Sequence, residues 1–387
     1  MNSLRVGRPF APPRAVPRPQ TASGGPDTVL IATVGSLVAI GLVMILSASS
    51  ATAYAFHHDS TYFLKRQLIW LCIGLGAAVV AYRCDYRALR GLAPLVVGLS
   101  LVSLVAVLVP HVGLVSNGAR RWLGAGSVSF EPSEFAKLAL VLYLASALTI
   151  KGERLRSLVR GLFPIVTLTL AFVLLVFKEP DTGTASLLAF TAAVLFFVGG
   201  ARLAHLALIA LVTLPPAALL VLTQHYQRAR LLAFLDPWKD PLNSGFHIVQ
   251  SLYALGSGGW IGVGLGFSRQ KFFYLPEQYT DFIFAIIGEE LGLLGTVVVL
   301  ALFVLFAYRA VRIALAAPDR FGFLLALGCA AVIMVQAFIN IGVVTSSWPV
   351  TGVPLPFISF GGSSLVVSLV ASALIVNVGR HRSRASS

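Results

Sequence analysis

The sequence predicts an all-α, polytopic integral membrane protein with about ten transmembrane helices and one large structured extracytoplasmic loop. Three observations carry that prediction. The chain of 387 residues is 57% hydrophobic and only 11% charged, where a soluble domain carries roughly 25% charged residues. Ten stretches approach the roughly 20 apolar residues that cross a bilayer as a helix. The lysines and arginines gather in alternate inter-span segments, as the positive-inside rule requires.

Residues 1–27 are rich in Arg and Pro and too polar to pack, so they read as a disordered cytoplasmic tail. The first apolar run, near 28–49, is longer than the apolar core of a cleavable signal and reads as a span. Further spans are expected near 67–82, 91–110, 134–150, 161–177, 183–200, 203–223, 282–308, 320–345 and 360–379. Together they make one membrane domain, 28–380, followed by a short cytoplasmic tail, 381–387. Cys72, Cys84 and Cys329 form no CxxC pair, so no disulfide framework or zinc site is signalled.

With the N-terminus inside, 18 of the 29 Lys and Arg fall on the cytoplasmic side with only four of the 15 acids. That side therefore carries the whole net charge of +14. Topology accounts for the basic balance, and no nucleic-acid partner is needed to explain it. Both termini are expected in the cytoplasm of a cell whose cytoplasmic membrane holds the protein.

The segment 224–281, between the seventh and eighth spans, is far longer than an ordinary connection. It is aromatic, glycine-rich and partly apolar, which suits short interfacial helices and tight turns. Three more clusters bring charge to the same outer face. The first runs from Asn117, Gly118, Arg120, Arg121 and Trp122 to Glu131, Glu134 and Lys137. The second is Lys178-Glu179-Pro180-Asp181, and the third is Glu277 to Asp281, entering the eighth span. Glu289 and Glu290 follow roughly 12 Å deeper, at 1.5 Å per residue. Charges within spans are costly and functional by default.

Each cluster has a plainer reading beside the functional one. Arg120, Arg121 and Trp122 suit an interfacial anchor. Glu134 and Lys137, three residues apart, suit a structural pair. Glu179 and Asp181 suit a helix cap, as does Asp281. For Asp281 the cap and a catalytic role are compatible, because a helix N-terminus favours the ionised carboxylate that a base needs. The run GSGGWIGVGLG at 256–266 lacks the Lys-Ser/Thr of a phosphate loop, so its glycines are assigned to close packing and turns. The single Asp181-Thr182-Gly183 triplet has no β architecture around it and is not an aspartic-protease site. His57 and His58 have no partner at metal-ligand spacing.

Three long stretches resemble one family: RRWLGAGSVSFEPSEFAKLAL (120–140), LDPWKDPLNSGFHIVQSLYALGSGGWIGVGLGFSRQKFFYLPEQYTDFIFAIIGEELGLLG (235–295) and NIGVVTSSWPVTGVPLPFISFGGSSL (340–365). The chain resembles the SEDS proteins, the shape, elongation, division and sporulation group that includes FtsW, RodA and SpoVE. Its SRQKFFYLPE stretch is closer to the FtsW and SpoVE branch. Two departures stand out: Phe360 where the family often has Tyr, and Glu131 where it usually has Gln.

The resemblance implies a peptidoglycan glycosyltransferase that polymerises lipid II, with Asp281 as the essential carboxylate. It also implies that Arg121, Trp122, Glu134, Lys137 and Glu179 line or support the cavity. A class B penicillin-binding protein transpeptidase and other division or elongation proteins are the implied partners. Asp281 would take the proton of the attacking sugar hydroxyl, and Arg121, Lys137, Arg269 and Lys271 are the candidate cations for the leaving pyrophosphate. A divalent cation, Mg or Mn, would share that role, and no organic cofactor is expected. The rival reading is a lipid II flippase, which should carry polar groups across the midplane. Here the charges concentrate at the outer boundary.

Overall fold

The computed structural model describes residues 25–116, 119–125 and 128–381. Most of the two expected tails, and Asn117 with Gly118, lie outside the described residues. Among those residues nine helices are long and apolar enough to cross a membrane, and a tenth is apolar but spans 17 residues. The spanning helices are α1 (Thr28–His57), α2 (Tyr62–Arg83), α3 (Tyr86–Leu108), α4 (Pro132–Lys151), α5 (Phe163–Lys178), α6 (Thr182–Val198) and α7 (Leu203–Thr223). Two short helices, α8 (His225–Leu235) and α9 (Phe246–Ser257), lie within the long loop, and α10 (Ile283–Leu315), α11 (Arg320–Val344) and α12 (Gly362–Arg380) complete the bundle. The ten expected spans are all present. Helices α1 and α10 outrun their expected ends at 49 and 308 because hydropathy marks only the lipid-facing length of a helix.

Four helices start on an aspartate, and each carboxylate accepts from a backbone N–H of the first turn. Asp27 takes Leu30 N at 3.0 Å, Asp85 takes Arg87 N at 2.9 Å, Asp181 takes Thr184 N at 3.0 Å and Asp319 takes Gly322 N at 2.8 Å. Each satisfies a donor that the helix itself leaves orphaned. Asp27 is also paired with Arg309 at 2.6 Å, which ties the start of α1 to the far end of α10.

Helices α11 and α12 are largely buried and form the centre of the bundle. Helix α7 is the opposite case: no residue of it is buried. Its Leu206 and Ile209 pack partly against the core, and the remaining apolar faces of the helix are left for lipid.

The segment between α3 and α4, expected as a loop, instead folds as a three-stranded antiparallel sheet of β1 (Leu114–Ser116), β2 (Ala119–Ala125) and β3 (Val128–Phe130). The central strand β2 pairs Trp122 with Leu114 and Leu123 with Phe130. Strands this short carry no readable alternation, so only the pairing reveals them.

Two stretches of non-helical backbone enter the bundle. The first is a break in α10 at Gly292, with φ 66° and ψ −163°. The loop before α10 fills that break. Val263 N donates to Glu289 O at 3.0 Å and Gly264 N to Glu290 O at 3.0 Å, while Leu293 N and Leu294 N donate to Gly259 O at 2.9 Å and Trp260 O at 3.1 Å. A Cβ on Gly258 would stand 1.9 Å from Gly288 O, and one on Gly262 would stand 2.1 Å from Glu290 O. The glycine run thus brings two backbones into direct contact, as its composition suggested. The second stretch is 351–361, whose Val353, Leu355, Phe357 and Ile358 are buried. Irregular backbone at this depth must find its hydrogen bonds inside the protein, and here polar side chains of the helices supply them. Gln336 donates to Pro354 O at 2.9 Å, Asn340 to Val353 O at 2.8 Å and Gln67 to Ser359 O at 3.2 Å.

Candidate active site

Asp281 lies at the end of the long loop, two residues before α10, and its backbone is held from several sides. Asn340 of α11 donates to Asp281 O at 2.7 Å, Phe360 N donates to Tyr279 O at 2.9 Å, and the Ser359 hydroxyl donates to Thr280 O. The buried segment 351–361 therefore clamps the residues around Asp281. Phe63, Tyr279 and Phe360 stack into one aromatic group with centroids 4.4, 5.2 and 5.8 Å apart. Phe360 packs there as a ring, so its missing hydroxyl leaves no gap in this contact. Gly352 faces the carboxylate: a Cβ there would stand 3.4 Å from Asp281 Oδ2.

The Asp281 side chain is half-buried. Desolvation, followed by the negative charge of Glu277, pushes its pKa up to about 7, against the opposing pull of Arg230 and Arg121. Such a group is poised to exchange a proton near neutral pH.

Facing it is the turn between α5 and α6. Arg121 of β2 donates through Nε to Glu179 O at 3.1 Å and through a terminal nitrogen to Pro180 O. The guanidinium is thus spent largely on holding this turn in place. Glu179 is completely buried, and neither carboxyl oxygen finds a hydrogen-bond partner among the described residues. Burial, with Asp181 and Glu131 adding negative charge, lifts Glu179 to about 9. Glu131 is raised to about 8, chiefly by burial and then by Glu134 and Asp181. This cluster of carboxyl groups keeps Glu131 and Glu179 neutral at neutral pH, since burial and neighbouring like charges both oppose ionisation.

Glu134 and Lys137 pair at 2.6 Å, both deeply buried, and Lys137 also donates to Gln336 at 2.7 Å. Gln336 in turn donates to Ser364 at 3.0 Å, so one polar chain crosses α4, α11 and α12. Trp122 lies beside Arg121 on β2, half-buried.

Arg269 and Lys271 sit elsewhere. Lys271 is buried, lies 3.8 Å from Glu290 and donates to Gly266 O. Glu290 also accepts from Ser47 of α1 at 2.7 Å, and Glu289 accepts from Arg269 N at 2.9 Å and from the Ser268 hydroxyl. Glu289 and Glu290 therefore anchor the loop rather than extend the cleft. Lys271 is committed to that anchor, and the Arg269 side chain is exposed. Among the described residues no group of three or more His, Cys, Asp or Glu is placed to hold a metal ion.

The sequence reading left out Asp181, Arg230, Gln336, Asn340 and Gly352 as site residues. Gln336 and Asn340 carried a usable signal, as amide side chains inside an apolar span. Arg230 and Gly352 carried none, because only the fold brings them to Asp281.

The family model described as cell cycle protein, covering FtsW, RodA and SpoVE, matches residues 27–384. The chain belongs to the FtsW/RodA/SpoVE family. Among curated relatives in this family, it is 45% identical to stage V sporulation protein E of Bacillus subtilis over 93% of this chain and 99% of that protein. It is 43% identical to the probable peptidoglycan glycosyltransferase FtsW of Trichlorobacter lovleyi, over 91% of this chain and 92% of that one. Among solved structures, it is similar to a chain of a peptidoglycan synthase complex that coordinates polymerization and crosslinking. That match has a TM-score of 0.76 and 34% identity, and covers 93% of this chain and 99% of the other. The rod shape determining protein RodA of Thermus thermophilus matches with a TM-score of 0.69 and 33% identity, over 92% and 98%. The FtsW/RodA/SpoVE chains thus share this multi-pass membrane fold along nearly its full length.

Proposed function

We propose that this chain is a peptidoglycan glycosyltransferase that polymerises lipid II at the outer face of the bacterial cytoplasmic membrane. The observation that carries the reading is Asp281. It is a half-buried carboxyl with its pKa raised to about 7, on backbone fixed by Asn340, Ser359 and Phe360 at the mouth of a membrane bundle. The close relatives named as peptidoglycan glycosyltransferases support the same activity.

In this mechanism Asp281 accepts the proton of the acceptor GlcNAc 4-hydroxyl as that oxygen attacks C1 of the donor MurNAc. The bond from C1 to the pyrophosphate breaks, undecaprenyl pyrophosphate leaves, and the configuration at C1 inverts. Arg230, whose charge acts on Asp281, stabilises the leaving group. Arg121 acts by holding the Glu179–Asp181 turn. Glu134, Lys137 and Gln336 keep α4, α11 and α12 in register beneath the cleft. Both termini lie in the cytoplasm, and the partner is a class B penicillin-binding protein transpeptidase that crosslinks the strands.

The test is polymerisation of lipid II by the purified chain with its cognate transpeptidase. Asp281→Asn, folded as judged by an unchanged melting temperature, is expected to lose polymer by at least about a hundredfold. Wild-type polymer from Asp281→Asn would overturn the mechanism. Transbilayer movement of labelled lipid II without polymer would turn the assignment to a transporter.

A further inference from the structure

At the opposite end of the bundle from Asp281 lies a cavity of about 440 Å³, lined by Arg87, Arg90, Thr149, Asp319, Arg320 and Phe321. It forms where three helix ends meet: the first turns of α3, the last turn of α4 and the start of α11. Three guanidinium groups face one carboxylate. That carboxylate is already matched, because Asp319 accepts from the Tyr86 hydroxyl, from Gly322 N at 2.8 Å and from Arg87 Nε at 3.3 Å. Arg320 gives one N–H to Gly199 O at 2.7 Å, and its other donors have no partner among the described residues. Arg90 is exposed and has no hydrogen bond or ion pair among the described residues. The N-terminus of α11 adds the positive end of its dipole. Among the described lining residues, three guanidinium groups thus stand against one carboxylate, an excess of positive charge with planar donors, which is the chemistry that recognises a phosphate.

Its position selects the source of that phosphate. The helix ends lie at the depth of lipid headgroups. From Arg87 and Arg90 the outer side of α3 continues through Leu92, Leu95, Leu99 and Val102, all exposed and apolar, and Ile150 is exposed beside Thr149. A ligand with a phosphate in the cavity has a ready apolar path for a hydrocarbon chain. We propose that this cavity binds the phosphate of an anionic phospholipid headgroup, in the leaflet opposite the active site.

The experiment uses the full-length chain in detergent, titrated with phosphatidylglycerol or phosphatidylcholine, with retained lipid read by native mass spectrometry. Wild type is expected to retain one phosphatidylglycerol in preference to phosphatidylcholine. Arg90→Gln should weaken that retention about fivefold, Arg90→Glu should weaken it further, and Arg90→Lys should keep most of it. Arg90 has no partner to lose among the described residues, so the melting temperature of Arg90→Gln in zwitterionic lipid should match wild type. Excess glycerol phosphate should leave the lipid in place. Equal retention of the two lipids, or unchanged retention in both Arg90→Gln and Arg90→Glu, would overturn the proposal. Displacement by glycerol phosphate would overturn the lipid source and point to a soluble phosphate ester.

Discussion

Asp281 and Glu179 are both carboxyl groups lifted above their ordinary range, yet they end in different states at neutral pH. Asp281, near 7, is divided between its forms. A base must be ionised to accept a proton, so the rate of polymerisation is expected to climb through the neutral range and level off above about pH 8. Below about pH 6 it should fall close to tenfold per pH unit. A rate flat from about pH 5.5 to about pH 8 would remove Asp281 from the proton transfer. Glu179, near 9, stays protonated when folded. Between its ordinary value of 4.5 and about 9, ionisation in the unfolded chain alone increasingly opposes folding. Glu179→Gln keeps the neutral shape and removes that opposition. It should match wild type in stability near pH 4 and exceed it by on the order of 3 kcal/mol at about pH 7. Melting temperatures at the two pH values would measure this, and a variant less stable at about pH 7 would show that Glu179 works ionised.

At the scale of elements, the break in α10 sets where Asp281 can stand. The loop that ends at Asp281 begins in the Gly258–Gly264 run lodged against Gly292. A Cβ at Gly292 would meet Gly262 N at 2.4 Å and face a positive φ. Gly292→Ala is therefore expected to cost about 3 kcal/mol and to lower polymerisation, with faster proteolysis in the 258–278 loop as its signature. A variant with wild-type melting temperature and loop protection would show that the contact is loose. The sequence announced the close packing through its glycines but not the partner, because α10 reads as one unbroken apolar helix. The same limit hid the pairing of Lys271. A basic residue near a site suggests an anion, and only the fold reveals that Glu290 already supplies one.

For the whole molecule, topology was legible because each span is a local property of about 20 residues and charge asymmetry records its direction. The inner architecture of the site was less so. The stretch 351–361 reads as motif, yet its course as buried, non-helical backbone depends on Gln67 of α2 and on Gln336 and Asn340 of α11, two helices far apart in sequence. The proposed orientation is testable with the native cysteines. Cys84 is exposed at the end of the bundle opposite Asp281, Cys72 is exposed mid-helix toward lipid, and Cys329 is buried. A membrane-impermeant maleimide should label Cys84 in inverted vesicles and not in intact spheroplasts. The reverse pattern would invert the topology and place the cleft in the cytoplasm.

The filled break in α10 also decides how this gene can be recombined. Residues 258–264 and 288–294 complete each other's backbone hydrogen bonds, so neither half has its native partner without the other. A chimera that crosses over between them joins a loop from one parent to a gap shaped by another. Productive exchange between relatives should therefore respect the whole cassette from Gly258 to Leu294, with the carboxylate at 281 carried inside it as cargo.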